Sequence, residues 1–329
     1  MKSLTVAFLA AALAVPALAQ PVPKTPDGRP DLTGNWSNVS LTKLERPGSL
    51  KSLTLPEAEA KRLAANDPIL RMKSDRGPID PEAGPPAPGG STGHDAIFLD
   101  NGESFARIRG EYRTSWIVEP EDGRMPLTPL GEQRRREALA MSGRMDPSGP
   151  EELAPNDRCL IGSRGSGGPG MLNNIYNSNY RFLLTRDALV VIVEMGFGVR
   201  IIPILADKAA AQAAHGPAAL APWMGDSTAW WEGDTLVVET VNVKPTQGRF
   251  GPIFLSEQGR VTERLTRTSG DEIAYEFAVE DPAHYTRPWR AEMVLTALGG
   301  EIYEYACHEG NYAMVGILAG ARRQEREGN

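Results

Sequence analysis

Three residues in the C-terminal part of the chain have side chains that could exchange protons with a small molecule: Glu263, Glu304 and His308. A carboxyl group buried among apolar residues has a pKa raised towards neutrality, and a histidine already titrates near neutral pH. Such groups act as general acids and bases when they line one cavity. Their placement depends on the two hairpins predicted to contain them.

The first hairpin is predicted to turn Glu263 inwards. Residues 272–280 alternate between apolar and mostly acidic side chains, which is typical of a strand with one buried face, here the face of Tyr275. A three-residue loop at 269–271 pairs Leu265 with Tyr275 and places Glu263 on that same face. A loop that differed by one residue would turn Glu263 outwards.

The second hairpin is predicted to turn Glu304 and His308 inwards as well. A two-residue glycine turn pairs Leu295 with Glu304 and Ala291 with His308. Because Leu295 and Ala291 belong to an apolar strand face, their partners are expected to face the core. Glu304 and His308 would lie roughly 13 Å apart, at about 3.3 Å per residue, so they could not bind one metal ion.

Further residues are candidates for the walls and the entrance of the same cavity. Ligands are commonly bound by loops at the mouth of a barrel and by aromatic residues inside it. The candidate ligand-binding residues are Trp223, Met224, Asp226, Tyr275 and Trp289. Tyr176, in a polar and aromatic segment, is a candidate proton donor. In the alternative interpretation these residues plug the barrel, and an arginine or a tyrosine holds the buried carboxylate.

The composition predicts a globular protein of the mainly β class. The chain has 329 residues, of which 41% are hydrophobic and 23% are charged, and its net charge of −7 makes nucleic acid an unexpected partner. From residue 180 onwards, short β-branched and aromatic runs alternate with turns, which indicates an antiparallel, lipocalin-like (calycin-type) barrel. Nine strands are predicted, at 180–186, 188–195, 197–205, 227–231, 235–243, 259–268, 272–280, 288–298 and 301–308, with a short helix at 207–214.

The segment before the barrel is predicted to be rich in loops. Residues 20–155 would wrap a barrel core formed by residues 156–329. Two short helices are expected in this segment, one near residues 56–65 with Thr54 as its N-cap and one near residues 129–141 with Thr128 as its N-cap. Residues 76–93, rich in proline and glycine, are interpreted as a linker, a lid or a wrapping loop.

The N-terminus predicts export to the periplasm or the medium. Residues 1–19 combine Lys2, an apolar run and small residues up to Ala19, which is the pattern of a secretory signal peptide cleaved near Ala19. The apolar run is too short to span a bilayer, so stable membrane insertion is not expected. Both cysteines, Cys159 and Cys307, follow this segment. One disulfide between them is the economical interpretation, and a free catalytic thiol is the alternative.

No metal ion and no cofactor are expected. The four histidines are scattered, without the His-x-His, HExxH or CxxC spacing of a metal site. The glycine-rich run at 162–170 lacks the Lys-Ser/Thr ending and the strand–loop–helix context of a phosphate-binding loop.

Several motifs, taken together, resemble an uncharacterised family of exported bacterial proteins. They are Pro26-Asp27-Gly28-x-Pro30-Asp31-Leu32-x-Gly34-x-Trp36, Asp122-Gly123-Arg124-Met125-Pro126-Leu127-Thr128-Pro129, Asp157-Arg158-Cys159-Leu160, Pro222-Trp223-Met224-Gly225, Trp231-Glu232-Gly233-Asp234-Thr235-Leu236-Val237-Val238, Glu263-Arg264, Asp281-Pro282-x-x-Tyr285-Thr286-x-Pro288-Trp289 and Tyr305-x-Cys307-x-Glu309. The resemblance implies a bridge between Cys159 and Cys307. Family members often have Gly-His-x-His-Ser where this chain has Phe254-Leu255-Ser256-Glu257, so the resemblance implies no activity for this chain.

The sequence predicts an exported barrel that acts on a small hydrophobic or aromatic molecule. The expected mechanism is cofactor-independent acid–base catalysis of the lyase, isomerase or hydrolase type, with Glu263 or Glu304 as the base and His308 or Tyr176 as the proton donor. One alternative is a non-catalytic periplasmic carrier that uses the same cavity. A second is a structural protein of the cell envelope whose barrel is filled by its own side chains. No particular oligomeric state is predicted.

Overall fold

A computed structural model describes residues 21–74, 99–141, 147–155, 157–160, 167–196, 198–244, 252–309 and 311–328. Most of the strands in these ranges belong to one antiparallel sheet, which curls into a nearly closed barrel. The mainly β, antiparallel architecture predicted from the sequence is confirmed. The predicted signal peptide and the Pro/Gly-rich segment at 76–93 lie outside the described residues.

The C-terminal half supplies eight strands of this sheet. The first eight of the nine predicted strands are confirmed, with ends displaced by at most two residues. They are β6 (Asn179–Leu184), β7 (Ala188–Val193), β8 (Val199–Pro203), β9 (Asp226–Glu232), β10 (Thr235–Val241), β11 (Arg260–Arg267), β12 (Glu272–Glu280) and β13 (Trp289–Ala297).

The N-terminal segment supplies the other two strands. Strand β1 (Gly34–Ser37) lies between β6 and β13, and β5 (Ile117–Glu119) pairs with the opposite end of β13. The interpretation of residues 20–155 as a wrapping segment did not foresee these strands. A separate small sheet has the order β2-β4-β3, formed by β2 (Thr54–Leu55), β3 (Arg107–Ile108) and β4 (Glu111–Arg113).

The two edge strands of the large sheet meet and bring the barrel close to closure. The strand order is β8-β7-β6-β1-β13-β12-β11-β10-β9. Ile204, just after β8, bridges Ala229 on β9, and the Leu205 N–H donates to the Ala229 carbonyl at 2.8 Å. This contact covers part of the edges that an open sheet would expose.

The predicted ninth strand, 301–308, is wrong, because these residues form no strand. Strand β1 pairs with the edge of β13 that would have paired with residues 301–308 in the hairpin predicted at Gly299-Gly300. Trp36 pairs with Ala297, and the Leu298 N–H donates to the Asn35 carbonyl at 2.8 Å. A pairing between distant parts of the chain has therefore replaced the local hairpin.

Within the described residues, five α-helices and two short 3-10 helices accompany the sheet. They are α1 (Glu57–Ala65), α2 (Pro68–Ser74), α3 (Pro129–Met141), α4 (Lys208–Ala213), α5 (Tyr312–Glu327) and the 3-10 turns Pro150–Glu152 and Ala218–Leu220. The predictions of α1, α3 and α4 are confirmed, as is the Thr128 cap, whose Oγ1 accepts from the Gly131 N–H at 3.1 Å. The Thr54 cap is wrong, because α1 follows Pro56 and has no side-chain cap. No described helix is both long and apolar enough to cross a membrane.

The predicted disulfide is confirmed. Cys159 and Cys307 are bonded, with their Cα atoms 5.8 Å apart. The bond joins the segment before β6 to the segment after β13, 148 residues later. In the chain-entropy model, closing so long a loop stabilises the folded state by about 4–5 kcal/mol.

Candidate functional site

The predicted register of the β11–β12 hairpin is confirmed and places Glu263 inside the barrel. Leu265 lies opposite Tyr275, and Arg264 lies opposite Glu276 on the outer face. Side chains alternate between the two faces of a strand, so Glu263 shares the inner face with Leu265. Only 1% of Glu263 is exposed.

Arg200 on β8 neutralises Glu263. Its Nη1 donates to Oε1 at 3.1 Å and its Nη2 donates to Oε2 at 2.5 Å, which is the two-pronged geometry that guanidinium and carboxylate groups favour. The same Nη2 lies 3.2 Å from both Ser227 Oγ and Thr240 Oγ1. The side chain of Arg200 is 3% exposed, so both charges lie away from solvent.

Two further groups donate to the same carboxylate. The Tyr275 hydroxyl donates to Glu263 Oε1 at 2.6 Å, and the Gly170 N–H donates to it at 3.4 Å. The Tyr275 hydroxyl in turn accepts from the Met171 N–H at 2.9 Å. Glu263 thus accepts four hydrogen bonds, all from protein groups.

These contacts determine the direction of the pKa shifts inside the barrel. Burial alone would raise the pKa of Glu263, but the charge of Arg200 and the hydrogen bonds from Arg200, Tyr275 and Gly170 bring it below its usual value. Burial, and then the charge of Glu263, raise the pKa of Tyr275 well above its usual value. The stable state at neutral pH is therefore an ionised Glu263 beside a neutral Tyr275.

A glycine-rich strip of backbone, residues 167–171, fills the space next to this ion pair. Gly168 has φ +84°, and a Cβ there would lie 2.6 Å from Arg200 Nη1. Gly170 has φ +70°, and a Cβ there would lie 2.8 Å from Ile253 Cδ1. Only glycine readily adopts these positive φ angles and also lets the backbone lie so close to the neighbouring side chains. The barrel interior is therefore packed by its own backbone at this point.

The expected inward positions of Glu304 and His308 are wrong, because the strand that would have placed them there is not formed. Both residues are exposed on the segment that follows β13. Neither belongs to the group around Glu263. Tyr176 lies on the loop before β6 and is 36% exposed, so it is also apart from that group.

Four of the five predicted ligand-binding residues fall into two groups. Trp289 is 1% exposed, and its ring packs edge-on against Phe277 and Tyr285, with centroids 5.7 Å apart in both pairs. Trp289 and Tyr275 are therefore core residues. Trp223 and Met224, by contrast, are half-buried on the loop before β9.

Trp223 lies where a ligand could contact it. The Lys244 ammonium group lies 4.5 Å from its ring centroid, a cation–π contact, and the ring is partly open to solvent. Met224 packs against Gly167 and Gly198, where side chains larger than hydrogen would collide with its sulfur or its terminal methyl group. Trp223 and Met224 thus lie at the end of the barrel where β9 begins and β10 ends.

Asp226 belongs to a hydrogen-bonded cluster that the sequence did not predict. Its Oδ2 accepts from the Gly216 N–H at 2.7 Å and lies 3.2 Å from His215 Nδ1. His215 Nε2 lies 3.5 Å from Glu239 Oε1 and 3.3 Å from Thr228 Oγ1. Since the Thr228 hydroxyl donates to the Ala211 carbonyl of α4, this cluster fastens α4 to the outside of the barrel.

Arg200 is the residue of the interior that the sequence interpretation missed. Along β8, residues Val199 and Ile201 are exposed whereas Arg200 and Ile202 are buried. The two-residue alternation that placed Glu263 inside would have placed Arg200 beside Ile202 by the same rule. Among the described residues, no three His, Cys, Asp or Glu side chains are grouped so that they could hold a metal ion.

Compared with known proteins, the chain matches no protein-family model, no curated protein and no solved structure. The resemblance to exported bacterial proteins thus stays a prediction that rests on the motifs.

Proposed function

We propose that this protein is an exported small-molecule-binding protein with a lipocalin-like barrel, and that its barrel interior is not used for catalysis. The supporting observation is the state of Glu263, which is 1% exposed and accepts four hydrogen bonds from Arg200, Tyr275 and Gly170. A general base needs contact with its substrate and a pKa near the working pH. Glu263 has a lowered pKa and is enclosed by its protein partners.

The other acid–base candidates favour the same proposal. Glu304 and His308 are exposed, and Tyr176 lies on a separate loop, so none of them forms a pair with Glu263. An enzyme of the predicted lyase, isomerase or hydrolase type would need such a pair around one cavity. The carrier interpretation needs only a contact surface for a ligand.

We place that contact surface at the loop end of the barrel, around Trp223. The ring of Trp223 is half-buried, and the part that Lys244 does not cover offers a flat apolar surface, which suits a small aromatic or hydrophobic molecule. The disulfide supports an exported location, because such bonds persist mainly in oxidising compartments.

Mass spectrometry of small molecules retained by the purified protein after incubation with a cell extract tests this proposal. We expect retained compounds that are released unchanged, and we expect Trp223→Ala to abolish the retention. Trp231→Ala is the matched control, because Trp231 is also half-buried, with Arg29 5.5 Å from its ring centroid, but lies at the opposite end of β9.

Two outcomes would contradict the proposal. Conversion of a compound that is lost in Glu263→Gln, under conditions in which circular dichroism shows that the variant is folded, would establish catalysis by the barrel interior. Retention of no compound at all would favour the structural interpretation.

A further inference from the structure

A surface cleft of about 240 Å³ lies apart from Trp223 and Glu263 and shares no residue with either site. Its walls are formed by the segments 46–51 and 122–124. The charged side chains that line it are Arg46, Lys51, Arg124 and Asp122, which leaves an excess of two positive charges. The volume is below the roughly 300–1,000 Å³ typical of sites for drug-sized ligands, so it suits one small charged group.

Arg46 is the unusual member of the cleft. It is only 8% exposed, and its side chain donates one hydrogen bond, to the Lys51 carbonyl at 3.5 Å. Its Nε is buried without an acceptor. Removing a guanidinium group from water is unfavourable unless a counter-charge or hydrogen-bond acceptors replace the water.

Other arginines among the described residues show that an unpaired Nε does not by itself indicate a binding site. Arg113, Arg135 and Arg200 also have a buried Nε without an acceptor. Each of these three, however, forms an ion pair with a glutamate. Within the described residues Arg46 has no carboxylate partner, and neither do Lys51 and Arg124.

The one carboxylate of the cleft does not neutralise these cations. Asp122 Oδ1 accepts from the Arg124 backbone N–H at 3.0 Å. The Lys51 ammonium group donates to the Gly48 carbonyl at 3.0 Å, which leaves its charge uncompensated.

The two walls of the cleft are fixed to each other. The Arg46 N–H donates to the Gly123 carbonyl at 2.9 Å, and the Gly123 N–H donates to the Pro120 carbonyl at 2.9 Å. Gly123 has φ +70°, and a Cβ there would lie 2.9 Å from Arg46 Cβ. The turn that contains Arg124 is therefore held against Arg46 before any ligand arrives.

We propose that this cleft binds a phosphate group through Arg46, Lys51 and Arg124. Arginine and lysine donate charge-assisted hydrogen bonds to phosphate oxygens, and the excess positive charge of the cleft suits a phosphate group with one or two negative charges. The phosphate group belongs either to a small soluble ester or to a phospholipid headgroup.

Calorimetric titration of the full exported chain with inorganic phosphate, at constant ionic strength, tests this proposal. We expect a saturable site with a dissociation constant on the order of 1 mM or tighter. Arg124→Gln and Lys51→Gln should each weaken it roughly fivefold or more. Arg186→Gln removes the same charge from the β6–β7 turn and should change it by less than about twofold.

Arg46→Gln should weaken binding most, and the two surface variants keep the test decisive if this buried variant fails to fold. Absence of a saturable site would overturn the proposal, as would equal weakening in Arg124→Gln and Arg186→Gln, since that would mean diffuse charge attraction only.

A second titration distinguishes the two sources of phosphate. Sedimentation with vesicles of phosphatidylcholine, with and without phosphatidylglycerol, should show Arg124-dependent binding to the anionic vesicles if the ligand is a lipid headgroup. Binding of glycerol phosphate without binding to the vesicles would identify a soluble ester. Both results support a phosphate site, and the absence of saturable binding of inorganic phosphate refutes it whatever the vesicles show.

Discussion

Two buried arginines of this protein have opposite surroundings. Arg200, inside the barrel, is 5% exposed and contacts Glu263, Ser227 and Thr240. Arg46, in the surface cleft, is 8% exposed and has a single long hydrogen bond to a carbonyl. The two side chains are almost equally removed from water, so the difference lies in their partners.

Because of this difference, the guanidinium group of Arg200 stabilises the fold, whereas that of Arg46 is available to bind a ligand. A buried charge whose partners all come from the protein has nothing left to offer a second molecule, and removing one partner is strongly destabilising. A buried charge that lacks partners is unfavourable in the free protein, and a ligand of opposite charge relieves that penalty. Variants of Arg46, and of Arg200 and its partners, can therefore test each half of this comparison.

The largest effect is expected from breaking the ion pair inside the barrel. Glu263→Gln leaves the Arg200 charge buried and uncompensated, so we expect a loss of about 3–5 kcal/mol in the free energy of unfolding. Chemical denaturation at neutral pH measures it. A loss below about 1 kcal/mol would mean that solvent enters the barrel and that the ion pair is not a structural one.

The double variant Glu263→Leu with Arg200→Met is the control for that experiment. It removes both charges and replaces them with apolar side chains, so it should be more stable than Glu263→Leu alone or Arg200→Met alone. The opposite outcome is that the double variant loses as much free energy of unfolding as the two single variants added together. In that case the lost hydrogen bonds, and not the uncompensated charge, would explain the effect of Glu263→Gln.

Acid should weaken the same ion pair without any mutation. The pKa of Glu263 is below its usual value of 4.5 in the folded protein, so the unfolded chain binds a proton first as the pH falls. The stabilising contribution of Glu263 is complete above pH 4.5 and is lost progressively below it. Denaturation midpoints from pH 7 to pH 3 should fall in the wild-type protein, and the fall should be smaller in Glu263→Gln.

The glycine strip beside Arg200 should be the next most sensitive place. Gly168→Ala adds a Cβ 2.6 Å from Arg200 Nη1 at φ +84°, so we expect a loss of about 2–3 kcal/mol in the free energy of unfolding. Gly233→Ala is the control, because Gly233 has φ +61° but no atom within 4 Å of the added Cβ. It should lose only about 1 kcal/mol. Thermal denaturation that gave equal losses would mean that only the backbone angle matters at Gly168.

The smallest effect on stability is expected in the cleft. Arg46→Met keeps an apolar stem of similar length and removes a charge that has no counter-charge, so we expect a change within about 1 kcal/mol in phosphate-free buffer. Added phosphate should then stabilise the wild-type protein and not the variant. A loss as large as that of Arg200→Met would contradict the comparison between the two arginines.

The amino-acid pattern predicts the barrel interior much better than it predicts the cleft. Residues 272–280 alternate so regularly that the register of β11 and β12, and with it the inward position of Glu263, follows from the sequence. The same alternation along β8 would have identified Arg200. The cleft has no such periodicity, because Arg46 and Arg124 come from two irregular segments that only the fold brings together.

The error at residues 301–308 has a different physical origin. Two consecutive glycines favour a tight turn, and local rules contain no information about a competing strand far away in the chain. Strand β1, only four residues long, occupies that edge of β13 and leaves Glu304 and His308 outside. Candidate site residues that depended on a local hairpin were therefore the ones misplaced.

The position of β1 also has a consequence for the time course of folding. Residue 36 pairs with residue 297, so the middle of the sheet joins parts of the chain that are 261 residues apart. Contacts over so long a separation form slowly, since a large loop must close before they stabilise anything. The barrel cannot be completed by a nascent chain that lacks β13, so strands β6 to β12 are synthesised before the strand that joins β12 to β1.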